Sequence, residues 1–243
     1  MCKTVKRGFF SSDETEFNTE SVQKLYQAGY DLYYLLNRGY KIKGASVFVG
    51  NHYMLSERQR LALVRAVSSD ENIWMRKKKE ITGTLENSTV NIDGFNTIIT
   101  LEVALSDSLL IKCMDGTIRD LAALRGTYRL IDKTQLAIMH IGKQLEENKV
   151  KKAIFYLDSP VSNSGRLKTQ IMELLEQFNY EVEVYVIHNV DSVLETLDHV
   201  ITSDAIILDK CKSWVNLNQK IIEEKMEKEL LIDFGRLLRD QKS

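Results

Sequence analysis

Five short runs rich in β-branched and aromatic residues recur through the second half of the chain: TVNID (89–93), KAIFYLD (152–158), EVEVYVI (181–187), HVITSD (199–204) and AIILD (205–209). Helix-length segments separate most of them. Strands that alternate with helices return by crossovers rather than hairpins, which makes a parallel sheet with helices on its faces. The spacing predicts helices over 96–106, 132–148, 164–178 and 191–198, and a last long one over about 216–239. In 164–178, Leu167, Ile171, Leu174, Leu175 and Phe178 form one stripe and leave Lys168, Glu173 and Glu176 for water, as on a helix that covers a sheet. Residues 107–131 fit neither rhythm and read as an insertion.

The front of the chain has a different pattern. Val22, Leu25, Tyr26, Leu32, Tyr33 and Leu36 recur at helical spacing before the stop in Arg38-Gly39-Tyr40, and Ser56 stands as an N-cap before a second helix over 57–67. Between them, ASVFVGNHYML reads as a short strand or buried turn. Arg76 to Glu80 reads as an exposed connector. The chain thus divides into a basic, mainly helical part, residues 1–82, and an α/β part, residues 83–243. Residues 1–80 carry net charge +5 and residues 81–243 net −6, a split hidden in the overall −1.

No apolar stretch approaches the roughly 18 residues of a membrane helix, and the amino end lacks the apolar core of a secretory signal, so a cytoplasmic protein is expected. Cys2, Cys113 and Cys211 are far apart and read as reduced thiols.

The runs TVNID, KAIFYLD and HVITSD end in the acids Asp93, Asp158 and Asp204. Ligands of open α/β sheets bind beyond the carboxyl ends of the strands, and neighbouring strands lie only about 4.8 Å apart. Carboxylates brought together there repel unless a cation joins them. A magnesium or manganese ion, which polarises phosphate and activates water, is the usual reason for such a cluster. The same aspartates, beside Gly94 and beside Ser159-Pro160, are also ordinary turn formers.

Ser159, Ser162 and Ser164 occupy the turn before the 164–178 helix, where free N–H groups and hydroxyls could receive a phosphate or merely cap the helix. The insertion contributes Asp115, Arg119, Asp120, Arg125 and Arg129, either as a fourth carboxylate with phosphate-clamping guanidinium groups or as a solvated, salt-bridged segment. Arg58, Arg60, Arg65 and Lys77 are the front half's candidates for gripping an RNA backbone, and equally the wet face of a helix. No P-loop, dinucleotide-binding glycine motif or G-x-S-x-G elbow occurs, and the four histidines form no triad pattern.

NIDGFN resembles the first-strand Asp-Gly-x-Asn motif of the PIN-like nuclease superfamily, most closely its NYN-type branch, and VITSD resembles the late-strand Thr-x-Asp motif. The likeness covers about residues 88–215. With the basic helical front, the whole chain is similar to a prokaryotic family that pairs a helical domain of unknown function with a PIN-like domain. The resemblance implies a central first strand flanked by the strands of Asp158 and Asp204. It further implies Asp93 and Asp204 as metal ligands, Asp158 as a less specific third, and Asn96 as the polar, phosphate-side residue. An acid that relatives carry on a helix would be Glu102, Asp115, Asp120 or Asp209. The expectation is a magnesium- or manganese-dependent ribonuclease with an RNA-gripping front half. A binding or assembly protein without catalysis and a small-substrate phosphohydrolase are the alternatives. A homodimer through the terminal stripe Ile222, Met226, Leu230, Phe234 and Leu237 is a further possibility.

Overall fold

The computed structural model describes residues 5–122, 126–225 and 230–240. Up to residue 79 the chain is helical: α1 (Asp13–Glu16), α2 (Thr19–Asn37), α3 (Ile42–His52), α4 (Glu57–Ala66) and α5 (Asp70–Lys79). There follow β1 (Thr89–Asp93), α6 (Gly94–Ala104), β2 (Leu110–Lys112), β3 (Ile118–Asp120), α7 (Asp132–Glu147), β4 (Lys152–Asp158), α8 (Ser164–Leu175) and β5 (Glu181–Ile187). The chain continues with α9 (Val190–Leu194), β6 (Val200–Ile201), α10 (Ala205–Lys210), β7 (Trp214–Val215), α11 (Leu217–Lys225), β8 (Leu231–Asp233) and α12 (Arg236–Asp240).

The α/β expectation holds. Five parallel strands form one sheet in the order β5-β4-β1-β6-β7, so β1 is central, between β4 and β6. Strand side chains alternate between two cores. Val90, Ile92, Phe155, Leu157 and Ile201 meet α6, α7, α8 and α11 on one face. Tyr156, Val200 and Trp214 meet α9 and α10 on the other. Every ladder is parallel and both faces are covered, which is why the strands read as near-continuous apolar runs.

Four local expectations are corrected. AIILD is helix α10, not strand, because the Asp204 carboxylate, three residues after the end of β6, accepts the Ile206 and Ile207 N–H groups and starts a helix. ASVFVGNHYML is helical over most of its length, its apolar positions following α3 rather than a strand period. The basic run at 76–79 belongs to α5, capped by Ser69. The segment 216–239 is not one helix: among the described residues α11 spans Leu217–Lys225, and Leu231–Asp233 pairs in parallel with Leu110–Lys112. Ile232 and Phe234 are buried two residues apart, a strand period that a helical stripe through Leu230, Phe234 and Leu237 conceals. Of the stripe offered for a homodimer, Ile222, Phe234 and Leu237 are buried in the chain's own cores and Met226 lies outside the described residues.

The insertion is a hairpin, β2 antiparallel to β3, which with β8 makes a second, three-stranded sheet. Its tight turn passes through Gly116 at φ +88°, a conformation that suits glycine. This sheet supplies Leu109, Ile111, Ile232 and Phe234 to the core of α2, α3 and α4. Gly29 of α2 allows that approach, since a Cβ there would stand 2.8 Å from Leu237 Cδ1.

Candidate functional site

Register decides what the strand-end acids can do. Asp93 is level with Tyr156 on β4, and Ile92 is level with Ile201 on β6. Asp158 therefore lies two residues further along β4, about 6.6 Å beyond the level of Asp93 at the usual rise per residue, and Asp204 lies three residues past the end of β6. Thr202, not Asp204, stands opposite Asp93, and its hydroxyl donates to Asp93 Oδ2 at 2.9 Å. Asp93 Oδ1 accepts the Asn96 N–H at 3.3 Å and so caps α6. The chain can turn so closely there because residue 94 is glycine: a Cβ on it would stand 2.5 Å from Leu157 Cδ2 and 3.1 Å from the Tyr156 carbonyl.

Burial pushes the Asp93 carboxyl up to about 7; the Thr202 and Asn96 hydrogen bonds oppose the shift, and the charges of Asp204 and Asp191 add to it. Burial likewise raises Asp158, against a hydrogen bond from the Val190 N–H. Asp191, in the first turn of α9, is raised by burial and by the charges of Asp204, Asp158 and Glu195. Four aspartates from three strand exits and one short helix thus share a field at the carboxyl end of the sheet. Among the described residues no three His, Cys, Asp or Glu side chains form a group that could by itself enclose an ion.

Asp191 is the acid missing from the sequence reading. Its signal was there, since NVD follows the β5 run as DG follows β1, but its carboxylate comes four residues after the strand rather than on it. The other acids considered are taken. Glu102, wholly buried, receives Arg7 Nε at 2.8 Å, the Tyr128 hydroxyl at 2.7 Å and the Thr134 hydroxyl. Asp115 receives Arg76 and Arg119, each at 2.7 Å. Asp209 receives Arg76 Nε at 2.6 Å. Asp120 accepts the Thr100 hydroxyl and the Ala122 N–H, with Arg65 3.5 Å away.

The serine turn is used internally. Ser162 Oγ accepts the Tyr128 N–H and donates to the Tyr128 carbonyl, Asn163 Nδ2 donates to the same carbonyl, and Ser164 is buried. Ser159 Oγ is enclosed without a partner. These residues clip the segment 126–128 to the sheet instead of presenting a phosphate cradle. Arg125 lies outside the described residues.

Two of the four RNA-binding candidates have structural tasks. Arg58 pairs with Asp13, donates to the carbonyls of Gly8 and Leu121, and stacks 4.2 Å from the Phe10 ring centroid, pinning the amino-terminal strap. Arg60 donates to the carbonyls of Leu55 and Gly50 and closes the α3–α4 corner. Lys77 is exposed and pairs with Glu80. Arg65 lines the cleft, where its guanidinium donates to the Asp120 carbonyl and lies 3.5 Å from the Asp120 carboxylate.

A cleft of about 750 Å³ opens where the helical part meets the carboxyl end of the sheet. Asn96, Ser203 and Asp204 line it from the sheet, Tyr40, Lys41, Arg65 and Arg76 from the helices, and Arg119 and Asp120 from the small sheet. The Asn96 side-chain oxygen accepts the Ser203 N–H at 2.8 Å and the Ser203 hydroxyl at 3.0 Å, which ties the start of α6 to the turn that carries Asp204. Of the four clustered aspartates Asp204 lines the cleft, together with Lys41 and Arg65, charges that could share a phosphate ester with a cation.

Two family models match separate parts of the chain. Residues 82–220 match the model of a family described as Domain of unknown function (DUF5616), and residues 24–79 match one described as Protein of unknown function (DUF434). The chain is 36% identical over 196 residues to the uncharacterized protein MJ0935 of Methanocaldococcus jannaschii, an alignment covering 79% of this chain and 94% of that protein. No solved structure matches. Among the described residues, no helix is long and apolar enough to cross a membrane.

Proposed function

The chain belongs to the DUF5616 family, and we propose from its site that it is a metal-dependent nuclease hydrolysing RNA phosphodiester bonds with a PIN-like α/β domain. One observation carries the reading: Asp93, Asp158, Asp191 and Asp204 share a field at the carboxyl end of the sheet, Asp204 lines the adjoining cleft, and among the described residues no Lys or Arg pairs with Asp93. The central place of β1 between the strands of Asp158 and Asp204 supports the PIN-like part of the reading.

A closed cage is absent among the described residues, but magnesium uses one or two carboxylates with waters and substrate phosphate oxygens, and this donor set fits that habit. Asp93 and Asp204 would hold magnesium or manganese. Asp158 and Asp191 would add negative charge. Bound there, the ion would polarise a phosphoryl oxygen and lower the pKa of a water. Thr202 orients the Asp93 carboxylate, Asn96 fixes the loop of Asp204, and Arg65 supplies positive charge to a phosphate in the cleft.

A second reading, a nucleic-acid-binding or assembly protein without catalysis, draws support from the same lack of an enclosing group. A small-substrate phosphohydrolase draws less, because its phosphate cradle would be the serine turn that Tyr128 occupies. Labelled RNA incubated with manganese separates the three. The nuclease reading expects cleavage by the wild-type chain and none by Asp204→Asn, whose side chain can still cap α10. Intact RNA that remains bound supports the second reading, and intact RNA with phosphate released from nucleotides supports the third.

A further inference from the structure

We infer that the α2–α3 corner, residues 34–43, is a single-stranded nucleic-acid guide that feeds the cleft, a role resting on the RNA reading of the site. From Leu32 to Ser56 the chain has no Asp or Glu, while it carries Arg38, Lys41 and Lys43. Lys41 and Lys43 are exposed and make no ion pair among the described residues. This contrasts with Arg58, Arg60, Arg76 and Arg119, all committed to internal partners. Two exposed rings lie among these charges. Tyr40 is 61% exposed and lines the cleft, and Tyr34 is 57% exposed beneath the Arg38 guanidinium, 5.1 Å from its ring centroid.

Rings left in water beside unpaired cations suit a strand of nucleotides, whose phosphates take the lysines and whose bases stack on the aromatic faces. An acidic polypeptide would use the charges and leave the rings without a task. Continuity settles direction: Gly39, Tyr40, Lys41 and Ile42 form the cleft wall that faces Asn96, Ser203 and Asp204. The residue that turns the corner is Gly39, at φ +85°.

The test is fluorescence anisotropy with a short fluorescein-labelled oligouridylate in EDTA, where cleavage is suppressed, repeated across salt concentrations. Lys41→Gln with Lys43→Gln is expected to weaken binding and to reduce the salt slope by about 1 to 2. Tyr40→Ala is expected to weaken it on the order of tenfold while leaving the slope unchanged. All three side chains are exposed, and unchanged thermal melting verifies that the variants fold. The guide is refuted if the wild-type chain does not bind the oligonucleotide, if the double-lysine variant binds as wild type, or if polyglutamate competes fully and Tyr40→Ala has no effect. Wild-type cleavage in manganese separates this from the nuclease reading: binding that depends on Lys41 and Lys43, with the RNA left intact by the wild-type chain, removes the nuclease and keeps the guide.

Discussion

Asp93 and Asp115 are the same residue type with nearly the same burial, 7% and 6% exposed, and they titrate in opposite directions. Burial acts upward on both. At Asp115 the charges of Arg119 and Arg76 and the bonds from Thr117 overcome it and hold the carboxyl below its usual value. At Asp93 two neutral hydrogen bonds meet two further acids and no arginine, and the carboxyl rises to about 7. The chain thus compensates the Asp115 charge with arginines and leaves the Asp93 carboxyl, at the end of the central strand, without one. Arg76 makes the contrast sharper, because it joins Asp115 of the small sheet to Asp209 of α10 and accepts the Trp214 Nε1–H on its carbonyl, tying three regions together.

Breaking the compensated side should have the largest effect. Arg76→Met removes one partner of a buried pair and is expected to cost about 3–5 kcal/mol in urea unfolding. A loss under 1 kcal/mol would mean that the network is not structural.

On the uncompensated side the sign reverses. The folded Asp93 carboxyl holds its proton to about pH 7 while the unfolded one releases it near 3.8, so the folded state binds more protons between these values. Wild-type stability is therefore favoured by Asp93 at low pH and declines as pH rises through that window. Asp93→Asn removes the decline. Relative to wild type at pH 5, the variant should gain about 2 kcal/mol at pH 8, compared by denaturation at both pH values. A parallel pH dependence for the two proteins would place the titration elsewhere.

Manganese probes the same carboxylate. At a concentration about tenfold above its Kd it should stabilise the wild-type chain by about 1.4 kcal/mol, a few degrees in Tm. The gain should shrink from pH 8 to pH 6, where the proton competes with the metal, and vanish in Asp93→Asn. Smallest of all is the loss of the exposed Lys77 side chain. Lys77→Ala breaks the contact with Glu80 at a cost under about 0.5 kcal/mol.

Strand content and the parallel sheet were legible because both faces of the sheet are covered, so TVNID and KAIFYLD carry apolar residues on both sides of the pleat. The strand-end acids and Asn96 were legible too, since they follow those runs directly. Register was not. Which residue of β4 faces Asp93 depends on how α6, α7 and α8 pack, and the offset of Asp158 and Asp204 has no mark in the local sequence. The C-terminal segment misled for another reason. Leu230, Phe234 and Leu237 satisfy a helical spacing by coincidence, while Phe234 and Leu237 join a core that includes Ile111 and Leu25, over a hundred residues away. Arg58 and Arg60 read as a wet basic face because the carbonyls and the Asp13 carboxylate they meet come from elsewhere in the fold.

The measurement that bears most directly on this contrast is a carbon-13 NMR titration of the aspartate carboxyls, with and without saturating magnesium. Without metal, Asp93 should titrate near pH 7 while Asp115 stays ionised well below the usual carboxylate range. With magnesium, Asp93 alone should lose its neutral form at pH 6. An Asp93 already ionised at pH 5, or one indifferent to magnesium, would contradict the account of a charge left open for a cation.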